Sequence, residues 1–234
     1  MAQAIHGLEI QIVSADIGKL QDHSAISVIG RRWEVARRDV QPADAGPLNA
    51  LYRYFVMYLK RFPIGTEYEL VMQDYQRLWE LPELRPTRNW ALMDVTGIGG
   101  ALSEALRRRG VPVVGITFTA GAAVTQPQPN EWHVPKVEIV TQFGRMIQSG
   151  RIQVLDTVES AAEVAEEVSG FGYKLSRDTG AVSYEALEEK THDDLTTCIA
   201  QAVWFAEHVI PPSIPGSRRR GYVAEAYEPL GKRR

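Results

Sequence analysis

The sequence predicts an α/β protein built on a mixed central sheet, an antiparallel meander followed by parallel strands, with helices on both faces. Three observations carry that reading. Apolar runs with the signature of buried strands stand near the start and again after residue 90. Segments with helical periodicity separate them. A strand–helix–strand unit spans 90–118, and strands joined by one helix run parallel in their sheet. The 234 residues, 44% hydrophobic and 24% charged, supply a core for one large domain. A net charge of −3 gives no overall basic field, so any nucleic-acid surface has to be a local patch.

Residues 1–7 read as a short leader, 8–210 as one domain and 211–234 as a basic tail. Leu8 to Ala15 alternates early and then turns fully apolar, as a strand entering a buried sheet does. Asp16-Ile17-Gly18-Lys19 is a turn, followed by strands at Ala25–Gly30 and Trp33–Val40 that complete the meander. Residues 49–61 read as a helix with Tyr52, Phe55, Val56 and Leu59 on one side, and 67–81 as a second. Trp90–Val95 is a buried strand. A glycine-rich turn leads from it into a helix at Ala101–Arg109, ended by Gly110, and a strand at Val111–Phe118. Residues 119–131 read as a long loop. A helix opens after Pro135 and runs to about Gln148, and a short strand covers Arg151–Leu155. A helix at 159–169 and a hairpin at Phe171–Leu187 come next, then a last helix from 193 to about 208. The sheet so assembled has five or six strands.

Acids stand at three telling places. Asp16 ends the first strand, Asp94 ends another, and Asp193-Asp194 opens the last helix. Read one at a time they have ordinary explanations, since Asp caps helices and suits the positive end of the helix dipole. Held together they would repel, and a divalent ion is what stabilises such a cluster. Two ions in one carboxylate cage can activate a water and stabilise a leaving oxygen. The single cysteine, Cys198, excludes an intrachain disulfide and reads as a small core residue. No secretory signal and no apolar run of about 18 residues is visible, so a cytoplasmic protein without a membrane span is expected.

Four blocks in order resemble the nuclease domain of tailed-phage terminase large subunits. The run Ala15-Asp16-Ile17-Gly18-Lys19-Leu20-Gln21-Asp22-His23-Ser24-Ala25 resembles its first acidic motif, and Asp94-Val95-Thr96-Gly97-Ile98-Gly99 its second. His133-Val134-Pro135-Lys136-Val137-Glu138 resembles a later block, and His192-Asp193-Asp194-Leu195 the third acidic motif. That family is similar to ribonuclease H and Holliday-junction resolvases in fold. The resemblance implies a metal-dependent endonuclease that cuts concatemeric viral DNA during packaging, with two Mg²⁺ or Mn²⁺ ions. Carried over, Asp16 and Asp94 would be catalytic metal ligands. The third ligand falls on Asp193 or Asp194, which spacing does not separate because adjacent helical positions point about 100° apart. Double-stranded DNA, a terminase ATPase motor domain or chain, the small terminase subunit and the portal are the implied partners, in the host cytoplasm. The chain departs from the family in having no G-x-x-x-x-G-K-[ST] phosphate cradle, so it reads as a nuclease domain whose motor lies elsewhere.

Lys19, Lys136 and Arg145 are candidates for phosphate contacts, with solvated surface cations as the ordinary alternative. His23 and His192 flank the acids and would orient a water or a ligand, or else serve as cap and surface residues. The competing readings are an actin- or Hsp70-like ATPase domain, from Asp16-Ile17-Gly18 and Asp94-Val95-Thr96-Gly97, and a non-catalytic docking module. A dinucleotide site at 95–101 lacks the G-x-G-x-x-G spacing.

Overall fold

The structure, a computed structural model, describes residues 5–19, 21–35, 50–85, 87–170, 173–175, 182–184 and 193–210. The basic tail, His192 and the first four residues lie outside them. Among the described residues eight strands form one sheet. They are β1 (Ile10–Asp16), β2 (Ser24–Val35), β3 (Ala50–Phe62), β4 (Arg88–Asp94), β5 (Val113–Thr119), β6 (Thr125–Gln128), β7 (Glu131–Pro135) and β8 (Ile152–Val154). A separate hairpin pairs β9 (Tyr173–Leu175) with β10 (Val182–Tyr184), where the sequence predicts one. The helices are α1 (Tyr68–Trp79), α2 (Gly99–Arg108), α3 (Lys136–Gln148), α4 (Ala161–Gly170) and α5 (Asp194–His208).

The strand order is β6-β7-β5-β4-β1-β2-β3-β8. β1, β2 and β3 form the expected antiparallel meander, and β1, β4, β5 and β7 run parallel. The mixed sheet is therefore the predicted one, but larger than five or six strands. The third meander strand is not Trp33–Val40, whose described part belongs to one continuous β2. It is β3, the segment read as a helix at 49–61.

The reason for that misreading is a β-bulge. The β2–β3 register shifts between Val28 and Ile29, so Val56 faces Ile29, Tyr58 faces Val28, and Met57 is the extra residue. Tyr52, Tyr54 and Val56 line one face before the bulge, and Leu59 joins the same core after it. A strict period of two thus becomes a spacing that imitates a helix turn. The 119–131 loop contains β6, a polar edge strand carrying Pro127, which an edge tolerates because its N–H is not needed.

Each face of the sheet has its own core. Ile10, Ile12, Trp90, Leu92 and Ile116 pack with α5, and Val13, Ala15, Ala91 and Met93 pack with α1 and α2. Every residue of α5 from Leu195 to Ala206 is buried, because the sheet covers one side of the helix and α3 and α4 cover the other. Among the described residues no helix is long and apolar enough to cross a membrane.

Candidate active site

Parallel strands deliver their C-terminal ends to one rim of a sheet, the usual position for chemistry in such folds. Here β1 ends at Asp16 and β4 at Asp94. The β1–β4 register pairs Ala15 with Met93, so the next residues on the two strands, Asp16 and Asp94, stand side by side. Adjacent strands are about 4.8 Å apart. Both carboxylates face α5, because the alternating residues Ile12, Trp90 and Leu92 of the same strands do.

The row continues across the meander, with Asp16 opposite Ala25 and Ala25 opposite Arg61. The bulge matters here. It shifts the phase of β3, so that Arg61 joins the α5 face rather than the opposite one.

α5 runs antiparallel to β1: Ser27, opposite Ser14, donates to Cys198 O, and Arg31, opposite Ile10, donates to Ala206 O, so the acids at the helix start lie toward the same rim. Its Cys198 Sγ donates to Ser14 O at 3.3 Å, and Gln201 Nε2 donates to Ala15 O at 2.8 Å. Asp194 lies one turn before Cys198, and Asp16 lies two residues beyond Ser14, which aligns the two acids.

The electrostatics are those of crowded carboxylates. Burial holds the Asp16 carboxyl well above the usual carboxylate range, and the charges of Asp94, Asp194 and Asp193 push it further; Lys136 opposes them. Burial also raises Asp94, against the hydrogen bonds of Thr96 and the Lys136 charge. Thr96 N donates to Asp94 Oδ1 at 2.7 Å, and Thr96 Oγ1 accepts from Phe118 N at 3.1 Å, which ties the acid to the end of β5. Burial pushes the Cys198 thiol up, so it is a neutral core group as expected.

Glycine follows each strand acid for a packing reason. A Cβ at Gly18 would stand 2.1 Å from His23 O, and one at Gly99 would stand 1.9 Å from Asp94 O. The turn after Asp94 therefore needs glycine for close approach of backbone to backbone, with no phosphate required.

Asp193, at the opening of α5, does not play the capping role that Asp so often plays. Asp193 occupies the N-cap position and makes no side-chain cap hydrogen bond. The cap comes from α4, where Glu167 Oε2 accepts from Thr196 N at 2.9 Å and from Thr196 Oγ1 at 2.8 Å. The other Glu167 oxygen pairs with Arg61, which also reaches Glu163 at 3.1 Å and lies 3.9 Å from Asp194 Oδ2. Asp193 Oδ2 instead accepts from Lys136 Nζ at 3.0 Å. With the side chains so engaged, no group of three His, Cys, Asp or Glu among the described residues forms a ready cage for a metal ion.

The remaining candidates scatter. Lys19 is exposed in the turn after Asp16. His23 is held by Phe62 O at 2.8 Å. Arg145 lies on α3 nine residues past Lys136, roughly 14 Å along the helix and away from the rim. Sequence reading missed Arg61, Glu167 and Thr96. Arg61 was hidden by the helical reading of its strand. Glu167 is one of several acids in a helix rich in Glu and Ala, with nothing to single it out.

Sequence comparison finds no matching protein family and no matching curated protein. Comparison of folds does find similar structures. The large terminase nuclease from thermophilic phage G20c matches with a TM-score of 0.51 at 17% identity, over 86% of each chain. The terminase nuclease domain of human cytomegalovirus, from a Mn-soaked structure, has a TM-score of 0.49 at 11% identity over 85% of each chain. The chain thus shares the fold of the phage G20c terminase nuclease.

Proposed function

We propose that this chain is a divalent-metal-dependent endonuclease that cuts double-stranded DNA during viral genome packaging. One observation carries the reading: Asp16 and Asp94 stand side by side at the ends of adjacent parallel strands, under the acid-bearing first turn of α5. The donor set fits Mg²⁺ or Mn²⁺, since carboxylate oxygens are the hard ligands such ions take. Burial first, and the charges of Asp94, Asp194 and Asp193 after it, raise the Asp16 carboxyl, and a bound cation would offset both.

Two ions held there would supply activation of a water and neutralisation of the leaving oxygen. The protein's own residues do the rest. Asp16 and Asp94 hold from the strands, with Thr96 fixing the orientation of Asp94. Asp194 is the third ligand, because it lies on the α5 face that carries Cys198 toward β1 and is only 14% exposed. Asp193, 34% exposed and paired with Lys136, stands outside that set. Lys136, whose ammonium lies beside Asp193, is our candidate for a phosphate contact, and Lys19 and Arg145, further from the acids, are weaker ones. The sequence carries no recognition-helix or zinc motif, so cleavage without base specificity is expected. A motor domain or chain, with the small terminase subunit and the portal, would bring the DNA.

The test is cleavage of supercoiled plasmid in EDTA, Mg²⁺ and Mn²⁺, with Asp94→Asn beside the wild type. We expect metal-dependent nicking or linearisation, reduced by more than about 100-fold in the variant, since the ions contribute several kcal/mol to the transition state. Absence of cleavage together with absence of Mn²⁺ uptake would sink the reading.

A further inference from the structure

We infer that Tyr75 of α1 and Gln201 of α5 are positioning residues for the metal site: from opposite faces of the sheet they clamp the strand ends that carry Asp16 and Asp94. The inference rests on the metal reading above and extends it to two buried residues behind the acids.

The β1–β4 ladder ends at the pair Ala15 and Met93, one residue short of Asp16 and Asp94. On their outer sides the acids are still paired, Asp16 with Ala25 and Asp94 with Ile116. Between the two acids the ladder holds nothing. Adjacent strands are about 4.8 Å apart, and like charges that close repel. The gap between the strand ends is therefore set by the last residues before the acids. There, side chains grip the backbone from both faces. Tyr75 Oη donates to Val13 O of β1 at 3.0 Å and to Leu92 O of β4 at 2.9 Å. A hydroxyl has one proton, so the two carbonyls share it and the phenol oxygen bridges the two strands. From the other face Gln201 Nε2 donates to Ala15 O at 2.8 Å, next to the Cys198 contact with Ser14 O. Tyr75 and Gln201 are both fully buried.

Neither side chain is what packing alone would choose. Tyr75 sits at core spacing with Val71 and Leu78 on the buried face of α1, where Phe would fill the same space with no hydroxyl to satisfy. Gln201 is more telling. It interrupts the apolar stretch 198–206 of α5, and its Oε1 has no hydrogen-bond partner among the described residues. A buried amide left half satisfied costs stability. What it secures is the carbonyl just before Asp16. A cation held by acids from two strands needs their separation fixed to within about 0.5 Å. With the strands clamped, that separation exists before the ion arrives. Without the clamp the ion has to draw repelling strand ends together, and it is bound more weakly.

Tyr54 supplies the control. Its hydroxyl is also buried, and it donates to Glu207 at 2.6 Å, at the end of α5 away from the acids. Tyr75→Phe, Gln201→Met and Tyr54→Phe each remove a buried donor and keep the bulk of the side chain. Mn²⁺ binding to the full chain, followed by loss of the free-ion electron paramagnetic resonance signal, is read at a temperature where every variant is folded. Tm in EDTA reports stability without any metal. We expect Tyr75→Phe and Gln201→Met each to bind Mn²⁺ roughly 10-fold more weakly, and Tyr54→Phe to keep wild-type affinity whatever its Tm. Wild-type affinity in Tyr75→Phe or in Gln201→Met overturns the inference, even where Tm has fallen, because the role would then be structural only. An equal loss in Tyr54→Phe also overturns it, as a mark of general loosening of the core. If the wild-type chain itself takes up no Mn²⁺, the metal reading falls and this inference with it. Should Tyr75→Phe or Gln201→Met fail to fold, the affinity of the other decides the matter alone.

Discussion

The two ends of α5 are built on opposite electrostatic principles. At the C-terminal end a buried cation meets the helix carbonyls. Arg31, 1% exposed, donates to Ala206 O and Ile210 O, pairs with Glu9 and lies over the Tyr52 ring at 4.1 Å. Beside it Glu207 accepts from Tyr54 Oη at 2.6 Å and from Arg151 at 2.8 Å. Positive charge at a helix C-terminus and paired acids around it are what stability asks for. At the N-terminal end Asp16, Asp94, Asp193 and Asp194 crowd around Lys136 and Arg61, and the acids outnumber the cations. The positive end of the helix welcomes one or two carboxylates but leaves Asp16 pushed upward. One end is satisfied and the other is under stress, within a single helix about 22 Å long. Stress of that kind persists where function requires it.

Breaking the satisfied end should have the larger effect on stability. Arg31→Met removes a buried guanidinium and leaves Glu9, 8% exposed, without it. Breaking a buried pair in this way costs about 3–5 kcal/mol, a fall in Tm of roughly ten degrees for a chain of this length. Cleavage per folded molecule at low temperature should persist, because the acids of the other end are untouched. Scanning calorimetry and plasmid cleavage on one preparation check both halves. A variant that keeps its Tm would show that the C-terminal end is not the anchor we describe.

At the stressed end the sign reverses. A carboxyl whose pKa is raised by folding holds its proton to a higher pH in the folded chain than in the unfolded one. The folded state therefore binds more protons between the ordinary value, about 3.9 for Asp, and the raised one, and stability falls as pH climbs through that window. Above it the cost is present in full. Asp16→Asn should then raise Tm at neutral pH in EDTA, by about 2–4 °C for each kcal/mol relieved, while abolishing cleavage. The gain should shrink below about pH 4, where both states of the wild type are protonated. A neutral or lowered Tm would mean that Asp16 is not electrostatically strained.

This contrast was half visible in the sequence. The acids at strand ends were legible because position relative to an apolar run is a local property, as Leu8 to Asp16 and Trp90 to Asp94 show. The helices α1, α2, α3 and α5 were legible for the same reason. What sequence could not carry was phase and pairing. The bulge at Met57 changes which face Arg61 occupies, and no residue type announces it. Arg31 lies between the two strands expected at Ala25–Gly30 and Trp33–Val40, and it continues β2 because a helix C-terminus and Glu9 await its guanidinium. Glu167 is the clearest case. Its partners are Thr196, 29 positions away on another helix, and Arg61 on β3. Capping from a distance has no sequence signature, whereas capping by the adjacent residue does.

The smallest expected effect concerns the exposed pair that joins the stressed end to solvent. Lys136 and Asp193 are 56% and 34% exposed at 3.0 Å, so their contact contributes only about 0.2–1 kcal/mol to stability. Lys136→Ala should leave Tm nearly unchanged. Its consequence should appear instead in how DNA binding responds to salt, because each phosphate contact contributes about −0.9 to the slope of log K against log salt concentration. If Lys136 takes a phosphate, the variant measured in EDTA should show a slope shallower by about that amount. An unchanged slope would confine Lys136 to its role as a counter-ion. The same substitution would then be expected to tighten Mn²⁺ binding, since removing a cation from among four acids leaves them more attractive to another. The direction of those two shifts separates a lysine that belongs to the DNA path from one that only quiets the aspartates.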